Sequence, residues 1–244
     1  MRSIDLNCDL GEGAGHDAEL MPLISSANVA CGAHAGDDAT MRATAELARR
    51  HGVSIGAHPG FADRENFGRV EMVLSSKELF ELVTDQVRAL ASIADVRHVK
   101  PHGALYNLAA RDAGVAQAIV DAVSAIDRSL VVYALAGSEL VRVARAGGLQ
   151  VAEEIFGDRS YQRDGSLTPR SRPDALIEDE TASIRQVLRM IREGKVRATD
   201  GTDVPIVADT LCLHGDGAHA VELARRLNEE LRAAGIEIKP VDRR

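Results

Sequence analysis

Four of the eight histidines in this 244-residue chain come directly after predicted β-strands: His34, His58, His102 and His214. Imidazole exchanges a proton near neutral pH and is the commonest metal ligand in proteins, so each of these side chains can do chemistry. Parallel strands of an α/β fold end on the same rim, which collects functional side chains from distant loops. We expect the four histidines to share one site. His51 and His98 precede strands and are expected on the opposite, structural rim.

Lys100 ends the predicted strand 96–100, where Pro101 turns the chain out of the sheet. At a buried strand end its compact charge suits a phosphate or a developing oxyanion, whereas a lysine that reaches solvent would have no such role. His102, His214 and Asp216 can transfer protons beside it, although Asp216 could equally cap the last helix. These four residues are the predicted catalytic group.

Asp9, His58 and His102 form a carboxylate and imidazole set that can hold a divalent metal and activate water. In the alternative interpretation, Asp9 caps the glycine-rich loop 11–15 and the histidines bond to substrate oxygens. Both interpretations stay open, because the three residues are spread widely over the chain.

The polar segment 160–173 contains an Asp164-Gly165 turn signal and is interpreted as a lid. Arginines in and near loops of this kind can clamp a phosphate or a carboxylate bidentately, and four qualify: Arg69, Arg159, Arg163 and Arg170. Glu154 and Asp158 form either a carboxylate pair or an ion-pair network with Arg159. Because the chain has neither a Walker-type phosphate loop nor a GxGxxG motif, a nucleotide would bind through helix N-termini and glycine-rich loops.

Strands and helices alternate along the chain, which indicates right-handed βαβ crossovers and a parallel sheet. Seven strands are predicted, the last at 209–213, while a short eighth at 236–239 is left open. A hairpin is predicted at 196–207 and a helix over 174–193. Because polar residues follow nearly every strand, a closed barrel is favoured over an open sheet. We therefore predict an α/β fold, a TIM-like (β/α) barrel of seven strands that forms a single domain over residues 1–244.

The net charge is −8, tryptophan is absent and no long basic run occurs, which argues against nucleic acid or an anionic membrane as a partner. Charge within the first five residues and the lack of a long apolar stretch predict a cytoplasmic protein. The three cysteines, Cys8, Cys31 and Cys212, have no CxxC spacing, so reduced thiols are expected. A homo-oligomer is compatible with the sequence.

Five segments contain most of these candidate residues: DLNCDLGE at 5–12, NVACGAHAGD at 28–37, GAHP at 56–59, KPHGALYN at 100–107 and CLHGD at 212–216. They are accompanied by FGR at 67–69 and DRSY at 158–161. In this order they resemble the LamB/YcsF family. The resemblance implies a seven-stranded β/α barrel related to glycoside hydrolases and polysaccharide deacetylases. It also implies cleavage of 5-oxoproline (pyroglutamate) to L-glutamate, coupled to hydrolysis of ATP, with B and C subunits as partners.

On this hypothesis Lys100 and a lid arginine steady the transferred phosphate, while His102 and Asp216 move protons. Asp9, His34 and His58 would hold Mg²⁺, another divalent metal, or the substrate. The residues expected to contact 5-oxoproline or ATP are Asn7, His34, Arg69, Asn107, Asp158, Arg159 and Arg170. Two other functions remain open: a metal-dependent deacetylase or amidohydrolase that needs no ATP, and a non-catalytic subunit whose polar rim only binds a ligand.

Overall fold

The computed structural model describes residues 2–213 and 220–243. Its strands are β1 (Arg2–Leu10), β2 (Ser26–Ala30), β3 (Ser54–His58), β4 (Val96–Val99), β5 (Val131–Leu135), β6 (Val151–Phe156), β7 (Lys195–Arg197), β8 (Asp203–Pro205), β9 (Thr210–Leu213) and β10 (Ile236–Ile238). Its helices are α1 (Asp17–Leu20), α2 (Asp38–His51), α3 (Ser76–Ala91), α4 (Gly103–Ala109), α5 (Ala113–Ile126), α6 (Glu139–Ala146), α7 (Glu180–Glu193) and α8 (Ala220–Ala233), with a 3₁₀ turn at Met21–Leu23.

Seven strands close into a parallel barrel in the order β1-β2-β3-β4-β5-β6-β9, and β9 pairs back onto β1. The predicted seven-stranded barrel is therefore confirmed. The eighth strand that the sequence left open is β10, which pairs in parallel with residues 2–4 of β1, ahead of the residues that pair with β9. The predicted hairpin is formed by β7 and β8, which are antiparallel and lie outside the barrel.

Capping residues set where two of the flanking helices begin or end. Asp37 caps α2 by accepting a hydrogen bond from the Thr40 backbone N–H, and Gly52 ends that helix at φ 69°, a conformation that glycine adopts without strain. Ser75 and Glu78 form a reciprocal capping box at the start of α3. These caps fix where α2 begins and ends and where α3 begins.

Two predicted elements differ from the structure. The helix expected over 174–193 begins only at Glu180, because the Asp179 side chain accepts a hydrogen bond from Ala182 N–H and caps it there. The segment predicted as a lid is tied down by short bridges that join Arg159 to Leu176 and Tyr161 to Leu167. It is therefore an anchored wall of the barrel rim rather than a separate lid.

The interior of the barrel is polar, while the apolar core lies between the strands and the helices. Along β1 the apolar side chains Ile4, Leu6, Cys8 and Leu10 belong to the outer core, and the alternate residues point into the barrel because strand side chains have a period of two. There Asp5 accepts hydrogen bonds from the hydroxyls of Ser25, Ser26 and Thr210. This network fixes the inward face of β1. The same face carries Asn7 and Asp9 closer to the carboxyl end of the strand.

His98 lies inside the barrel, and its predicted position on the opposite rim is wrong. It is a residue of β4, is 1% exposed, and donates from Nε2 to Asn28 Oδ1 at 2.8 Å. Its ring stacks on Tyr133 with centroids 4.1 Å apart. That expectation conflicted with the predicted strand 96–100, which contains His98, and within the strand this side chain takes an inward register.

Candidate functional site

The carboxyl ends of the barrel strands bring a lysine and two carboxylates together. Lys100 follows β4, Asp9 lies at the end of β1, and Glu154 lies in β6. Lys100 Nζ is 2.8 Å from Asp9 Oδ1 and 3.0 Å from Glu154 Oε1. The Lys100 side chain is 3% exposed and that of Glu154 is completely buried. Two nearby carboxylates compensate the ammonium for its lost hydration.

Two further acceptors surround the same ammonium group, Cys212 Sγ at 2.9 Å and Asn7 Oδ1 at 3.3 Å. Burial by itself would lower the pKa of Lys100, but the charge of Asp9, followed by those of Cys212 and Glu154, raises it well above its ordinary value. Four acceptors engage the three N–H donors of the ammonium. In this arrangement Lys100 orients Asp9 and has no donor directed at a ligand, so the predicted direct contact with phosphate is not what the geometry supports.

Asn7 connects the residues of this cluster by hydrogen bonds. Its amide nitrogen donates to Glu154 Oε1 and Thr210 Oγ1, and its oxygen accepts from Asn28. Asn28 also donates to Asp9 Oδ1 at 2.8 Å. The side chain of Asn7 is fully buried and holds these carboxyl groups in place. Its contact with substrate or nucleotide stays a prediction.

Glu12, in the loop after β1, meets three histidines from different strand ends. Its Oε1 atom is 3.1 Å from His34 Nε2, 3.2 Å from His102 Nδ1 and 3.7 Å from His58 Nε2. The other carboxylate, Asp9, places Oδ2 3.4 Å from His58 Nε2. The structure thus brings together Asp9, His58 and His102, as well as Glu12, which the sequence interpretation did not single out.

The second nitrogens of two histidines determine which tautomer each adopts. His58 Nδ1 is 2.7 Å from the Lys100 carbonyl oxygen, and His102 Nε2 is 2.9 Å from the Phe67 carbonyl oxygen. Because a carbonyl oxygen only accepts, both nitrogens must carry a proton. The other two nitrogens, His58 Nε2 and His102 Nδ1, lie 2.9 Å apart. A proton shared between them, or a metal ion bound by both, makes that contact favourable.

His34 has a different role from the other two histidines. Its ring is parallel to that of His102 within 2°, with centroids 3.8 Å apart, so one ion cannot lie in the plane of both rings. His34 Nε2 instead donates to Glu12. The side chain is 1% exposed and positions Glu12 through this hydrogen bond, while its contact with a ligand stays a prediction. Gly60 and Gly68 make room for the stack, since a Cβ atom would lie 2.7 Å from His34 Nδ1 or 2.8 Å from His34 Cβ.

The titration of the cluster reflects these contacts. Burial by itself would raise the pKa of Glu12, but hydrogen bonds from His102 and His34 outweigh it and lower that pKa to about 2. Burial lowers the pKa of His34 to about 4 in spite of Glu12. For His58, burial is opposed by the charge of Asp9, and the pKa is raised. The carboxyl groups of Asp9 and Glu154 thus contact the Lys100 ammonium group, whereas that of Glu12 contacts the histidines.

The donor atoms around this point fit a first-row transition metal better than Mg²⁺. Glu12, His58 and His102 offer one carboxylate oxygen and two imidazole nitrogens, with Asp9 Oδ2 adjacent. Tetrahedral coordination with metal bonds near 2.05 Å places neighbouring donor atoms roughly 3.3 Å apart, and the observed separations bracket that value. Imidazole suits Zn²⁺, Fe²⁺ or Co²⁺, whereas Mg²⁺ prefers oxygen ligands alone. The carbonyl partners of His58 and His102 supply the outer support usual for metal-binding histidines.

A cavity of about 690 Å³ opens beside the cluster. The rim cavity, as we call it, is bordered by Asp9, Glu12, His58, Lys100 and His102, and by the anchored wall at 162–170. Among the predicted ligand contacts, the cavity lining includes Arg69, Asn107, Arg159 and Arg170. Arg69 also lies over the Phe67 ring, with Cζ 4.9 Å from the centroid. A cavity of this volume is in the range of pockets that bind small molecules.

The remaining predicted residues are distributed differently. Asp158 lies next to the anchored wall and is not among the described residues that line the rim cavity. His214 and Asp216, both predicted to be catalytic, lie outside the described residues. Sequence reasoning did not single out Tyr106, whose buried side chain lines the rim cavity. Its position in KPHGALYN, four residues after His102, was the available signal. The three cysteines are buried and unpaired, as expected.

Fold and site together define a β/α-barrel protein with a carboxylate-imidazole cluster at its strand ends. A sequence model of the LamB/YcsF family matches residues 4–244, and the chain belongs to that family, which confirms the resemblance. The chain is 53% identical to the A subunit of 5-oxoprolinase from Geobacillus kaustophilus (strain HTA426), over 98% of this chain and 97% of that protein.

Solved structures of other proteins share this fold. The lactam utilization protein of Thermus thermophilus is 46% identical and matches with a TM-score of 0.92, covering 98% of this chain and 100% of that one. A family 4 carbohydrate esterase from Streptomyces lividans matches with a TM-score of 0.51 at 10% identity, over 99% and 93% of the two chains. At that identity the likeness concerns the fold alone, and it confirms the predicted deacetylase-like barrel. None of the described helices has the length and apolar character needed to cross a bilayer.

Proposed function

We propose that this chain is the A subunit of an ATP-dependent 5-oxoprolinase, which opens the ring of 5-oxoproline to L-glutamate while ATP is hydrolysed to ADP and phosphate. The observation that carries the proposal is the 53% identity, over 98% of the chain, to a protein named as the A subunit of 5-oxoprolinase. That name supports a multi-subunit complex, and we propose B and C subunits as partners.

The coupling to ATP has a chemical reason. The carbonyl carbon of a five-membered lactam is a poor electrophile, because the amide nitrogen donates electron density to it. Transfer of the terminal phosphoryl group of ATP to the amide oxygen releases ADP and makes the ring carbon a better electrophile, so water can add to it. Cleavage of the ring C–N bond then leaves an acyl phosphate, and a second water molecule hydrolyses it to L-glutamate and phosphate. Arg69 and Arg170, which line the rim cavity, are the proposed contacts for the phosphate.

The other proposed roles are proton transfer and metal binding. Lys100 and Asn28 hold Asp9 Oδ1, so Oδ2 is oriented toward His58 Nε2 and can accept a proton from the attacking water. Breaking the ring C–N bond releases an amine, which must gain a proton, and His214 and Asp216 remain the proposed donors. His58, His102 and Glu12 would hold a divalent ion, which when bound supplies Lewis acidity for water or for the lactam carbonyl.

The proposed metal site is tested by metal content. The purified chain, dialysed against metal-free buffer, is expected to retain about one transition-metal ion per chain, measured by elemental mass spectrometry. His102→Ala removes one lone pair from the cluster and lowers that content, while His51→Ala, an exposed histidine at the end of α2, is the matched control. Equal metal content in the two variants would contradict the assignment of His102.

The proposed reaction is tested in the reconstituted complex. The chain is mixed with its candidate B and C partners, and the release of glutamate and phosphate from 5-oxoproline is followed with and without ATP. Equal amounts of the two products, formed only with ATP and only when all three partners are present, are expected. Glutamate formation without ATP consumption refutes the coupled mechanism. Full activity of His102→Ala would indicate that the rim only binds a ligand.

One observation favours a second function, that of a metal-dependent amidohydrolase acting without ATP. The donor set of Glu12, His58 and His102, with Asp9 beside it, is complete within this chain and offers two of the functions that metal hydrolases combine, metal binding and a carboxylate base. Metal-dependent turnover of a small amide by the isolated chain, with no nucleotide present, would favour it.

A further inference from the structure

Arg159 is a buried cation at the edge of the rim cavity, and no described residue supplies a carboxylate to pair with it. Its side chain lines the cavity, yet the residue is only 6% exposed. Its hydrogen bonds run to main-chain carbonyl oxygens, from Nη2 to Thr168 at 2.7 Å and from Nε to Ala175 at 3.4 Å. Within residues 2–213 and 220–243, no carboxylate forms an ion pair with its guanidinium group.

The two carbonyl contacts hold the guanidinium group in one orientation. They use one donor on Nη2 and the donor on Nε, which leaves three of the five guanidinium N–H groups without a protein acceptor in the described part of the chain. The main chain around Arg159 is equally restrained, because Gln186 Nε2 donates to its carbonyl oxygen at 2.9 Å. The group is therefore preorganised, and a ligand would bind it with little loss of side-chain entropy.

Burial of an uncompensated guanidinium group is unfavourable, and the surroundings of Arg159 make it more so. Burial lowers its pKa first, and the nearby charge of Arg170 lowers it further, against the opposing charge of Asp158. A buried charge without a partner is rare in proteins unless a ligand completes it. A planar guanidinium group with free donors matches the two oxygens of a carboxylate, or those of a phosphate.

We propose that Arg159 forms an oxyanion subsite of the rim cavity and determines specificity for a lactam that carries a carboxylate. This inference rests on the proposed function for the identity of the lactam. The subsite itself requires only that the ligand present an oxyanion to Arg159 while its amide lies at the histidine cluster. Two sources fit the same chemistry: the carboxylate of 5-oxoproline, and a phosphate group.

The test compares ligands that differ in a single charge. Isothermal titration calorimetry measures binding of 5-oxoproline and of its neutral carboxamide to the full chain, alone and in the reconstituted complex. Inorganic phosphate is the third probe, used both directly and as a competitor. A charge-assisted bidentate contact is expected to favour 5-oxoproline over the carboxamide by about tenfold to a hundredfold. Arg159→Gln is expected to remove that preference, whereas Arg163→Gln, an exposed residue of the same segment, retains it.

The possible outcomes distinguish a carboxylate ligand from a phosphate ligand, and both from refutation of the subsite. A preference for the carboxylate that Arg159→Gln abolishes assigns the subsite to the substrate. Phosphate binding that depends on Arg159, with equal binding of 5-oxoproline and carboxamide, assigns it to phosphate. If the wild-type chain binds both lactams equally and phosphate does not bind, the subsite is refuted, and this comparison needs no variant to fold. Lack of glutamate formation in the complex refutes the proposed function but leaves an Arg159-dependent anion preference in force.

Discussion

Replacement of Lys100 by methionine tests whether its ammonium group holds the rim together. The substitution preserves most of the side-chain volume but leaves Asp9 and Glu154 without the cation that lies 2.8 and 3.0 Å away. Removal of one partner from a buried ion pair costs about 3–5 kcal/mol, because the remaining charge stays buried. A domain of ordinary stability unfolds with about 5–15 kcal/mol. We therefore expect Lys100→Met to fold with a large part of its stability lost.

The free energy of unfolding is measured with urea. The chain has no tryptophan, so far-ultraviolet circular dichroism is the appropriate signal. Lys77→Met is the matched control, since the Lys77 side chain is 83% exposed and only 3.7 Å from Glu81 on the surface of α3; no measurable change is expected there. In the double variant Lys100→Met/Glu154→Gln one of the two unpaired carboxylates is neutral, so part of the lost stability should return.

The pH dependence provides a second check. Protonation relieves a buried carboxylate that has lost its partner, so the stability difference between wild type and Lys100→Met should shrink as the pH falls. The reasoning is refuted if Lys100→Met is as stable as Lys77→Met at every pH. It is refuted equally if the double variant recovers nothing.

Two other predictions follow from the packing of the histidines. Gly68→Ala should cost about 2–4 kcal/mol and lower metal content, because its Cβ would lie 2.8 Å from His34 Cβ at φ +62°; Gly13→Ala, at φ +86° with nothing within 4 Å, should lose only about 1–2 kcal/mol, and equal losses in both would contradict the crowding argument. Burial, with the charge of Lys100, lowers the pKa of His98 from 6.5 to about 3, so this group stabilises the fold above its unfolded pKa and the stabilisation is lost as the pH falls. The wild type should lose on the order of 3 kcal/mol from this source by about pH 4, and urea titrations of His98→Asn should show a shallower acid dependence; an unchanged slope would refute it.

Much of the architecture could be predicted because it depends on local pattern. Alternating strand and helix signals imply parallel crossovers. Asp37 and Ser75 cap the starts of helices and Gly52 ends one, because these effects depend only on neighbouring residues. Parallel strands carry their carboxyl ends to one rim, so the meeting of His58, His102 and Lys100 followed from topology. The start of α7 at Glu180 was missed because a side-chain cap at Asp179 outweighed the apolar spacing that continued before it.

The chemistry at the rim depended on distances between segments that the sequence does not encode locally. Glu12 entered the cluster because the loop after β1 folds over three strand ends. The amide of Asn7 hydrogen-bonds to Glu154, Thr210 and Asn28, which come from three other parts of the chain. The stacking of His34 on His102 decided which imidazoles can share an ion.

The linear order of residues determined the barrel, its seven parallel strands and the rim on which the reactive side chains are found. Tertiary structure alone decided which donors face one another, which charges have partners, and that Arg159 finds no carboxylate partner in the described part of the chain. The physical reason is range. Backbone propensity and strand period act over a few residues, whereas hydrogen bonds and ion pairs act over about 3 Å between atoms whose separation only the folded chain sets.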